Sequence, residues 1–290
     1  MASPSFGGET FLTGVRAISR RDAWSVGTSD VVHHQIQYVH TLALRWNGRG
    51  WHRVGTPHPG VDSWLAAVAG WRKDLWAVGR WTRTGLYQRG LILHWNGRRW
   101  SRVRAPGLVR MSRLTSLSAV ARGDVWAAGD VFNDTTGYQP LLLHWNGARW
   151  HRAATPELSA TSEIDAASAT SDRDVWLGGQ GLLHWDGSSL AQVMSNTQPV
   201  NALDAFSRTD AWLASGCDGC APPAVMMHWD GARWSPNPTP NPGDQADALD
   251  SIGGSGPADL WAVGTYLSSS IGHYRTLILH WDGTSWAPSS

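Results

Sequence analysis

The stretch Leu141-Leu142-Leu143-His144-Trp145-Asn146-Gly147-Ala148-Arg149-Trp150 decides the fold. It joins an apolar run to a second segment that opens with Trp, and an Asn-Gly pair lies between them. Asn-Gly between apolar runs is the strongest short-range hairpin signal, because a type I′ turn needs residues that tolerate positive φ. Variants of this stretch occur six times, at Trp46-Asn47-Gly48, Trp95-Asn96-Gly97, Trp145-Asn146-Gly147, Trp185-Asp186-Gly187, Trp229-Asp230-Gly231 and Trp281-Asp282-Gly283.

A second mark, Asp-x-Trp, recurs once in each unit. It falls at Asp22/Trp24, Asp74/Trp76, Asp124/Trp126, Asp174/Trp176, Asp210/Trp212 and Asp259/Trp261. A period of about 40–50 residues with four short strands per unit is typical of a propeller blade. The chain is therefore predicted to be all-β, a single six-bladed β-propeller domain over 1–290. The predicted four-stranded antiparallel blades cover 10–57, 62–106, 112–156, 162–194, 198–236 and 247–288.

The repeat resembles a group of bacterial tryptophan-rich propeller-like repeat proteins. Asp259 to Gly264, Leu277 to Trp286 and the Pro-rich link Pro236 to Pro242 carry the likeness, which extends over nearly the whole chain. The pattern also looks distantly similar to kelch-type propellers. The resemblance implies the fold, and it implies no single activity and no catalytic residue set.

The repeated Trp and His residues are interpreted as structural. Of the 20 Trp, 17 occupy three repeat positions, which favours packing between blades. Five equivalent His lie far apart around a ring, so they are predicted to hydrogen-bond within their own blades rather than to form one site. These are His94, His144, His184, His228 and His280, with Arg45 at the same position in the first blade.

Composition narrows the possible partners. The 24 basic and 23 acidic residues give a formal charge of +1 with no run of like charge, which predicts no nucleic-acid partner. No apolar run reaches the length of a membrane span. Met1-Ala2-Ser3 indicates either a natural start, hence a cytoplasmic protein, or the replacement of a removed leader, hence an extracytoplasmic one. A monomer is expected.

Cys217 and Cys220 form a lone Cys-x-x-Cys pair. A zinc site would need a second pair or His partners, so a metal here is the weaker interpretation. A small loop-closing disulfide is favoured over two free thiols, and it would favour an extracytoplasmic protein.

Strands A to D of each blade run outward from the centre, so their connections lie on two different faces. The A–B turns and the Asn/Asp-Gly hairpins form a short, uniform turn face. The B–C and D–A connections form a loop face whose lengths vary, and function tends to sit on variable loops of a rigid scaffold. The predicted ligand-binding residues are Trp64, Trp71, Trp81, Arg83, Tyr87, Asn133, Asp134, Tyr138, Asn201 and Tyr274.

Two functional hypotheses follow. The first is a binding module for a carbohydrate, a cell-surface polymer or a protein, because aromatic faces stack on sugar rings while amides and carboxylates bind hydroxyls. The second is a lyase, hydrolase or cyclase acting on a small molecule, with its pocket at the mouth of the channel lined by the A strands. Its candidate acid–base residues are His33, His34, His40, Asp165, Asp204, Asp250 and His273.

No cofactor is predicted. Asp165, Asn201, Asp204 and Asp250 would form a polar arc at the channel mouth, and oxygen ligands of this kind suit Ca²⁺ or Mg²⁺. Water fills such a mouth equally well, so the arc is not assigned as a metal site.

Overall fold

The computed structural model describes residues 8–33, 36–155, 163–195, 199–216, 224–242, 247–268 and 272–289. The chain is an all-β six-bladed β-propeller with four antiparallel strands in each blade, as the repeat predicts. The strands divide into two compact units, unit 1 at Met1–Thr161 and unit 2 at Ser162–Ser290, with three blades each. The described residues contain no helix that is long and apolar enough to cross a membrane.

Each blade of unit 1 is a sheet whose strands pair in chain order. Blade 1 comprises β1 (Thr10–Ser19), β2 (Asp22–His33), β3 (Ile36–Trp46) and β4 (Trp51–Val54). Blade 2 comprises β5 (Asp62–Trp71), β6 (Asp74–Thr82), β7 (Gln88–Trp95) and β8 (Trp100–Val103). Blade 3 comprises β9 (Ser112–Ala121), β10 (Asp124–Asn133), β11 (Gly137–Trp145) and β12 (Trp150–Arg152).

Unit 2 repeats this order three times. Blade 4 comprises β13 (Ile164–Ser171), β14 (Asp174–Gly179), β15 (Gly181–Trp185) and β16 (Leu190–Ser195). Blade 5 comprises β17 (Val200–Ser207), β18 (Asp210–Ser215), β19 (Val225–Trp229) and β20 (Trp234–Pro236). Blade 6 comprises β21 (Asp247–Gly256), β22 (Asp259–Leu267), β23 (Tyr274–Trp281) and β24 (Trp286–Pro288).

Tryptophan packs neighbouring blades together within each unit. The Trp24 ring lies 4.9 Å from Trp95 of blade 2 and 5.5 Å from Trp100, and all three rings are buried. In unit 2, Trp212 lies 5.0 Å from Trp281 and 5.7 Å from Trp286 of blade 6. Tilted and edge-on contacts at these distances are favourable for aromatic pairs. The packing role predicted for the repeated Trp is confirmed at these positions.

The repeated His also has a structural role. In blade 2, His94 Nε2 lies 2.7 Å from Asp74 Oδ1, and its ring stacks on Trp76 at 4.3 Å. The same Asp–His bond joins the second and third strands of the other four blades that carry His. In blade 1, Arg45 Nε lies 3.0 Å from Asp22 Oδ1 instead. The predicted hydrogen bond of each His to its own blade is confirmed.

The Asn/Asp-Gly hairpins differ from the predicted type I′ turn. Trp46 pairs with Trp51, so the loop between them has four residues, and Gly48 has a φ of 92°. Among the described residues, Met111 is the only one other than glycine at positive φ, so the Asn and Asp residues of these hairpins are not left-handed. Asn47 Oδ1 instead accepts the backbone N–H groups of Arg49 and Gly50 at 2.9 and 3.0 Å. The hairpins thus lie where the sequence predicts them, but their turn is not type I′, because this side-chain cap holds a wider loop.

Every first strand carries a bulge at the same repeat position. In blade 4 the register passes from Ile164↔Gly179 to Ala166↔Gly178 and skips Asp165. A Cβ on Gly179 would lie 1.8 Å from the Glu163 carbonyl oxygen, which explains the glycine five residues after the repeated Asp. The skipped residues are Thr13, Ala66, Thr115, Asp165, Asn201 and Asp250.

Several connections predicted as B–C loops are extensions of the two strands. In blade 3 the ladder continues from Asp130↔Pro140 to Asn133↔Gly137. Blades 1 and 6 extend their second and third strands in the same way. These hairpins extend on the loop face, where they form walls beside the links between blades.

Candidate functional site

A cavity of about 750 Å³ lies on the loop face of unit 1. The B–C hairpin of blade 3 forms one wall, and the link from blade 2 to blade 3 forms another. The cavity gathers three residues predicted from the sequence, Tyr87, Asn133 and Asp134. The other lining residues are Val109, Arg110, Met111, Val131, Phe132, Thr136, Gln139, Arg152 and Thr155.

The link from blade 2 to blade 3 is fixed by backbone bonds at Met111. Met111 N donates to Gln88 O at 2.8 Å, and Met111 O accepts from Phe132 N at 2.8 Å. Met111 itself has a φ of 65°, a conformation that L side chains rarely adopt. The surrounding bonds hold this strained residue in the cavity wall, where its side chain would meet a ligand.

An ion pair supports the hairpin wall from inside the blade. Arg113 Nε lies 2.9 Å from Asp130 Oδ2, and the Asp130 side chain is completely buried. The Arg113 guanidinium also lies 5.5 Å from the Tyr138 ring, and Tyr138 packs edge-on against Phe132 at 5.1 Å. Tyr138 therefore supports the cavity from behind Phe132.

Arginine and tyrosine form the polar mouth of the cavity. The Arg110 guanidinium carbon lies 3.3 Å from the centre of the Tyr87 ring, which remains 43% exposed. Asn133 Oδ1 accepts from Thr135 N at 2.8 Å, so this amide is oriented by its own turn. Arg110 and Arg152 oppose the single carboxylate of Asp134, so the lining has an excess of positive charge.

Two predicted tryptophans lie beneath arginines and are less exposed than Tyr87. Arg80 lies 5.0 Å above Trp64, and Arg102 lies 4.4 Å above Trp81. Burial lowers the pKa of Arg102, and the neighbouring cations Arg104 and Arg89 lower it further. Trp81 also packs against the buried core of blades 1 and 2. Trp81 thus supports the blade, while a ligand-binding role for Trp64 stays a prediction.

Trp71 was placed on the wrong face by the sequence analysis. It is the last residue of β5 and pairs with Asp74, so it lies beside the A–B turn on the turn face. There it packs against the core between blades 2 and 3. The error arose because the long first strand carries Trp71 one strand length away from Trp64.

Other predicted ligand residues lie apart from the cavity. Arg83 is exposed in the B–C connection of blade 2. Tyr274, which is 47% exposed, opens β23 in blade 6, and His273 precedes it. These two residues belong to unit 2 and provide a natural comparison for Tyr87.

The polar residues of the first strands in unit 2 contact neighbouring backbone. Asn201 Nδ2 donates to Gly216 O at 2.6 Å and to Leu249 O at 2.9 Å, so it joins blade 5 to blade 6. Asp204 Oδ2 accepts from Gly254 N at 3.2 Å. Asp165 and Asp250 are exposed bulge residues. A catalytic role for these three carboxylates stays a prediction.

The candidate histidines fall into two groups. His34 and the side chain of His33 lie outside the described residues, as do Cys217 and Cys220. His40 stacks on His58 with ring centres 4.2 Å apart. Burial lowers the pKa of His40, and the adjacent His58 and Arg53 lower it further. Within the described ranges, no three His, Cys, Asp or Glu residues come together as a group that could hold a metal ion.

Sequence reasoning missed Arg110, Met111 and Arg152 as cavity residues. Arg152 is in the short outer strand β12, where no residue was considered. Arg110 and Met111 lie in a link that carries no repeat mark, although Arg110 stacks on a residue that had been selected, Tyr87. For Arg110 and Met111, the available signal was their place in the link 107–111 between two predicted blades.

No protein-family model matches the chain, and no curated protein is similar enough to match it. Solved structures do match. A fungal lectin from Aleuria aurantia, described as a six-bladed propeller with a novel fucose recognition mode, is 11% identical with a TM-score of 0.58; the match covers 97% of this chain and 95% of that one.

Two other structures are similar over nearly all of this chain. YCF48 bound to D1 peptide is 12% identical with a TM-score of 0.59; the match covers 98% of this chain and 83% of that one. A GH74 xyloglucanase from Xanthomonas campestris is 18% identical with a TM-score of 0.63; the match covers all of this chain but 46% of that one. At these identities the comparisons support the propeller fold alone.

Proposed function

We propose that the chain is a ligand-binding propeller that recognises a carbohydrate or cell-surface polymer through the loop-face cavity of unit 1. The observation that carries this proposal is the meeting of Tyr87, Asn133 and Asp134 with Arg110 and Arg152 in one cavity. Its volume of about 750 Å³ is in the range of pockets that hold small ligands. The lining combines an exposed aromatic ring with hydroxyl-binding amide and carboxylate groups.

The excess of arginine in the cavity favours carbohydrates that carry negative charge. A sugar that carries a carboxylate would pair with Arg110 or Arg152, since guanidinium groups bind carboxylates through two parallel hydrogen bonds. Asp134 and Asn133 would then bind ring hydroxyls. Acidic sugars are therefore expected to bind more tightly than their neutral counterparts.

The test is calorimetric titration of the full chain with purified neutral and acidic oligosaccharides and cell-wall polymers. We expect saturable binding, and we expect Tyr87→Ala and Asn133→Ala each to weaken it by about tenfold. Tyr274→Ala is the matched control, because Tyr274 is equally exposed near the start of the third strand of another blade. Absence of binding at millimolar ligand, or equal weakening by Tyr274→Ala, would reject the proposal.

Protein recognition through the same cavity is the close variant of this proposal. A peptide ligand would also depend on Tyr87 and Arg110, whereas oligosaccharides would then give no heat. A peptide array probed with the wild-type chain and with Tyr87→Ala distinguishes the two.

A further inference from the structure

The charges of the chain are divided between its two units. Residues 1–161 contain 20 basic and 9 acidic side chains, whereas residues 162–290 contain 4 basic and 14 acidic ones. The formal charges are therefore +11 and −10, and the overall value of +1 conceals both. A near-neutral protein with strongly charged parts favours electrostatic association over mutual repulsion.

The turn face of unit 1 carries much of the positive charge. Nine basic side chains are exposed on its A–B turns and C–D hairpins: Arg20, Arg21, Arg49, Arg72, Lys73, Arg98, Arg99, Arg122 and Arg149. The carboxylates on this face, Asp22, Asp74 and Asp124, are already bonded to Arg45, His94 and His144. Of the nine cations, Arg72 reaches Asp22 at 3.2 Å.

The first strands of unit 2 carry the opposite charge on the loop face. Asp165 and Asp250 are exposed bulge residues, and Asp204 lies on the strand between them. The segments β13, β17 and β21 contain no Lys or Arg. The turn face of unit 2 also carries carboxylates, but they are interspersed with Arg173, Arg208 and Arg233, so that face presents both signs of charge.

We propose that the basic turn face of unit 1 binds the acidic loop face of unit 2 in a second copy of the chain. Charge complementarity identifies the partner, because every copy has an acidic unit whose charge is nearly equal in magnitude and opposite in sign to that of the basic unit. The contact joins two different surfaces, so it is heterologous. A dimer therefore leaves one basic turn face and one acidic loop face unoccupied at its ends. Further copies then add to those ends.

The first measurement is sedimentation velocity of the full chain over a range of concentrations. At about 20 mM salt we expect species larger than dimers, and at about 0.5 M salt, where the screening length is only a few ångströms, we expect monomers. Association that is unchanged by salt, or a monomer at every concentration in low salt, would overturn the proposal.

Two variants then separate the two surfaces. Arg98→Thr with Arg99→Ser installs the residues that the chain itself uses in the hairpin of blade 6, Thr284 and Ser285, so the fold is retained. Asp165→Asn with Asp250→Asn installs the residue that blade 5 uses at the same bulge, Asn201. Each variant alone should associate about tenfold more weakly.

Mixing the two variants provides the decisive test. Each retains one intact surface, so an equimolar mixture should form dimers with nearly wild-type affinity and nothing larger. The matched control is Asp186→Asn with Asp282→Asn, which removes two charges from unit 2 on its turn face and installs the Asn of blades 1–3. The proposal is contradicted if the mixture remains monomeric. It is also contradicted if the control variant associates as weakly as the two test variants do.

Discussion

His184 Nε2 lies 2.7 Å from Asp174 Oδ1, and the His184 ring lies 4.1 Å from Trp176. The Asp174 side chain is only 2% exposed. Burial alone would raise the pKa of Asp174, but hydrogen bonds from His184 and Thr170 outweigh it and lower the pKa. The ionised carboxylate thus ties the second strand of blade 4 to the third.

Replacing Asp174 with Asn should lower the free energy of unfolding by about 1–3 kcal/mol, because a buried charge-assisted bond is lost. Asp259→Asn is the comparison, since the Asp259 side chain is 51% exposed while it makes the same bond to His280. We expect a smaller loss there. Urea denaturation of the two variants measures the difference, and equal losses would show that burial is not the cause.

Lowering the pH should remove the stabilisation that the ionised Asp174 carboxylate gives the wild-type protein. The pKa of Asp174 is lowered from its ordinary value of 3.8, so its stabilisation is complete above that pH and decreases as pH falls below it. Urea midpoints between about pH 3 and 6 should therefore fall less steeply in Asp174→Asn than in the wild type. Parallel profiles would contradict this linkage.

Gly179→Ala should cost about 1–3 kcal/mol of stability, because its Cβ would meet the Glu163 carbonyl oxygen across the bulge. Blade 5 has Ser215 at this position, so the strands can separate enough to keep the fold. Gly256→Ala is the control, since nothing lies within 4 Å of the added methyl. Thermal unfolding should distinguish them, and a harmless Gly179→Ala would refute the steric explanation.

The stacked pair His40–His58 predicts that stability also changes with pH at values above those at which carboxylates titrate. Burial and the neighbouring His58 and Arg53 lower the pKa of His40 from 6.5, so the folded state binds its proton less readily than the unfolded state. Its contribution to stability is complete above pH 6.5 and is lost as pH falls below that value. In an NMR titration, His58→Gln should raise the pKa of His40; an unchanged value would exclude His58 as a cause.

Met111→Gly should stabilise the fold and weaken the ligand site. Removing the side chain relieves the left-handed conformation and should raise the free energy of unfolding by up to about 1 kcal/mol. Because Met111 lines the cavity, the same change should reduce ligand affinity. Chemical denaturation and calorimetry on one preparation measure both, and destabilisation would show that the residue is not strained.

The fold could be predicted because its signals are local and repeated. The Asp-x-Trp and His-Trp marks recur in the same order in each blade, with Arg45 in place of His in the first, and each mark corresponds to a contact that recurs, such as Asp74 with His94. The turn type was missed because Asn47 uses its side chain as a cap, and a dipeptide does not distinguish that from a type I′ turn.

The candidate site could be predicted only in part. Tyr87, Asn133 and Asp134 were found because they lie outside the repeat on the variable connections. Arg110 and Met111 were not found, because their position depends on bonds to Gln88 and Phe132 in two different blades. Trp71 was misplaced because strand length decides which face a residue reaches.

The bulge in every first strand keeps the same backbone geometry while its side chain differs from blade to blade. The six skipped positions are occupied by Thr, Ala, Thr, Asp, Asn and Asp on one repeated local geometry. Thr13 and Asn201 use this position to bond to the next blade, whereas Asp165 and Asp250 expose their side chains there. A protein engineer could therefore introduce new recognition groups at the exposed bulges of blades 4 and 6 without rebuilding the strand.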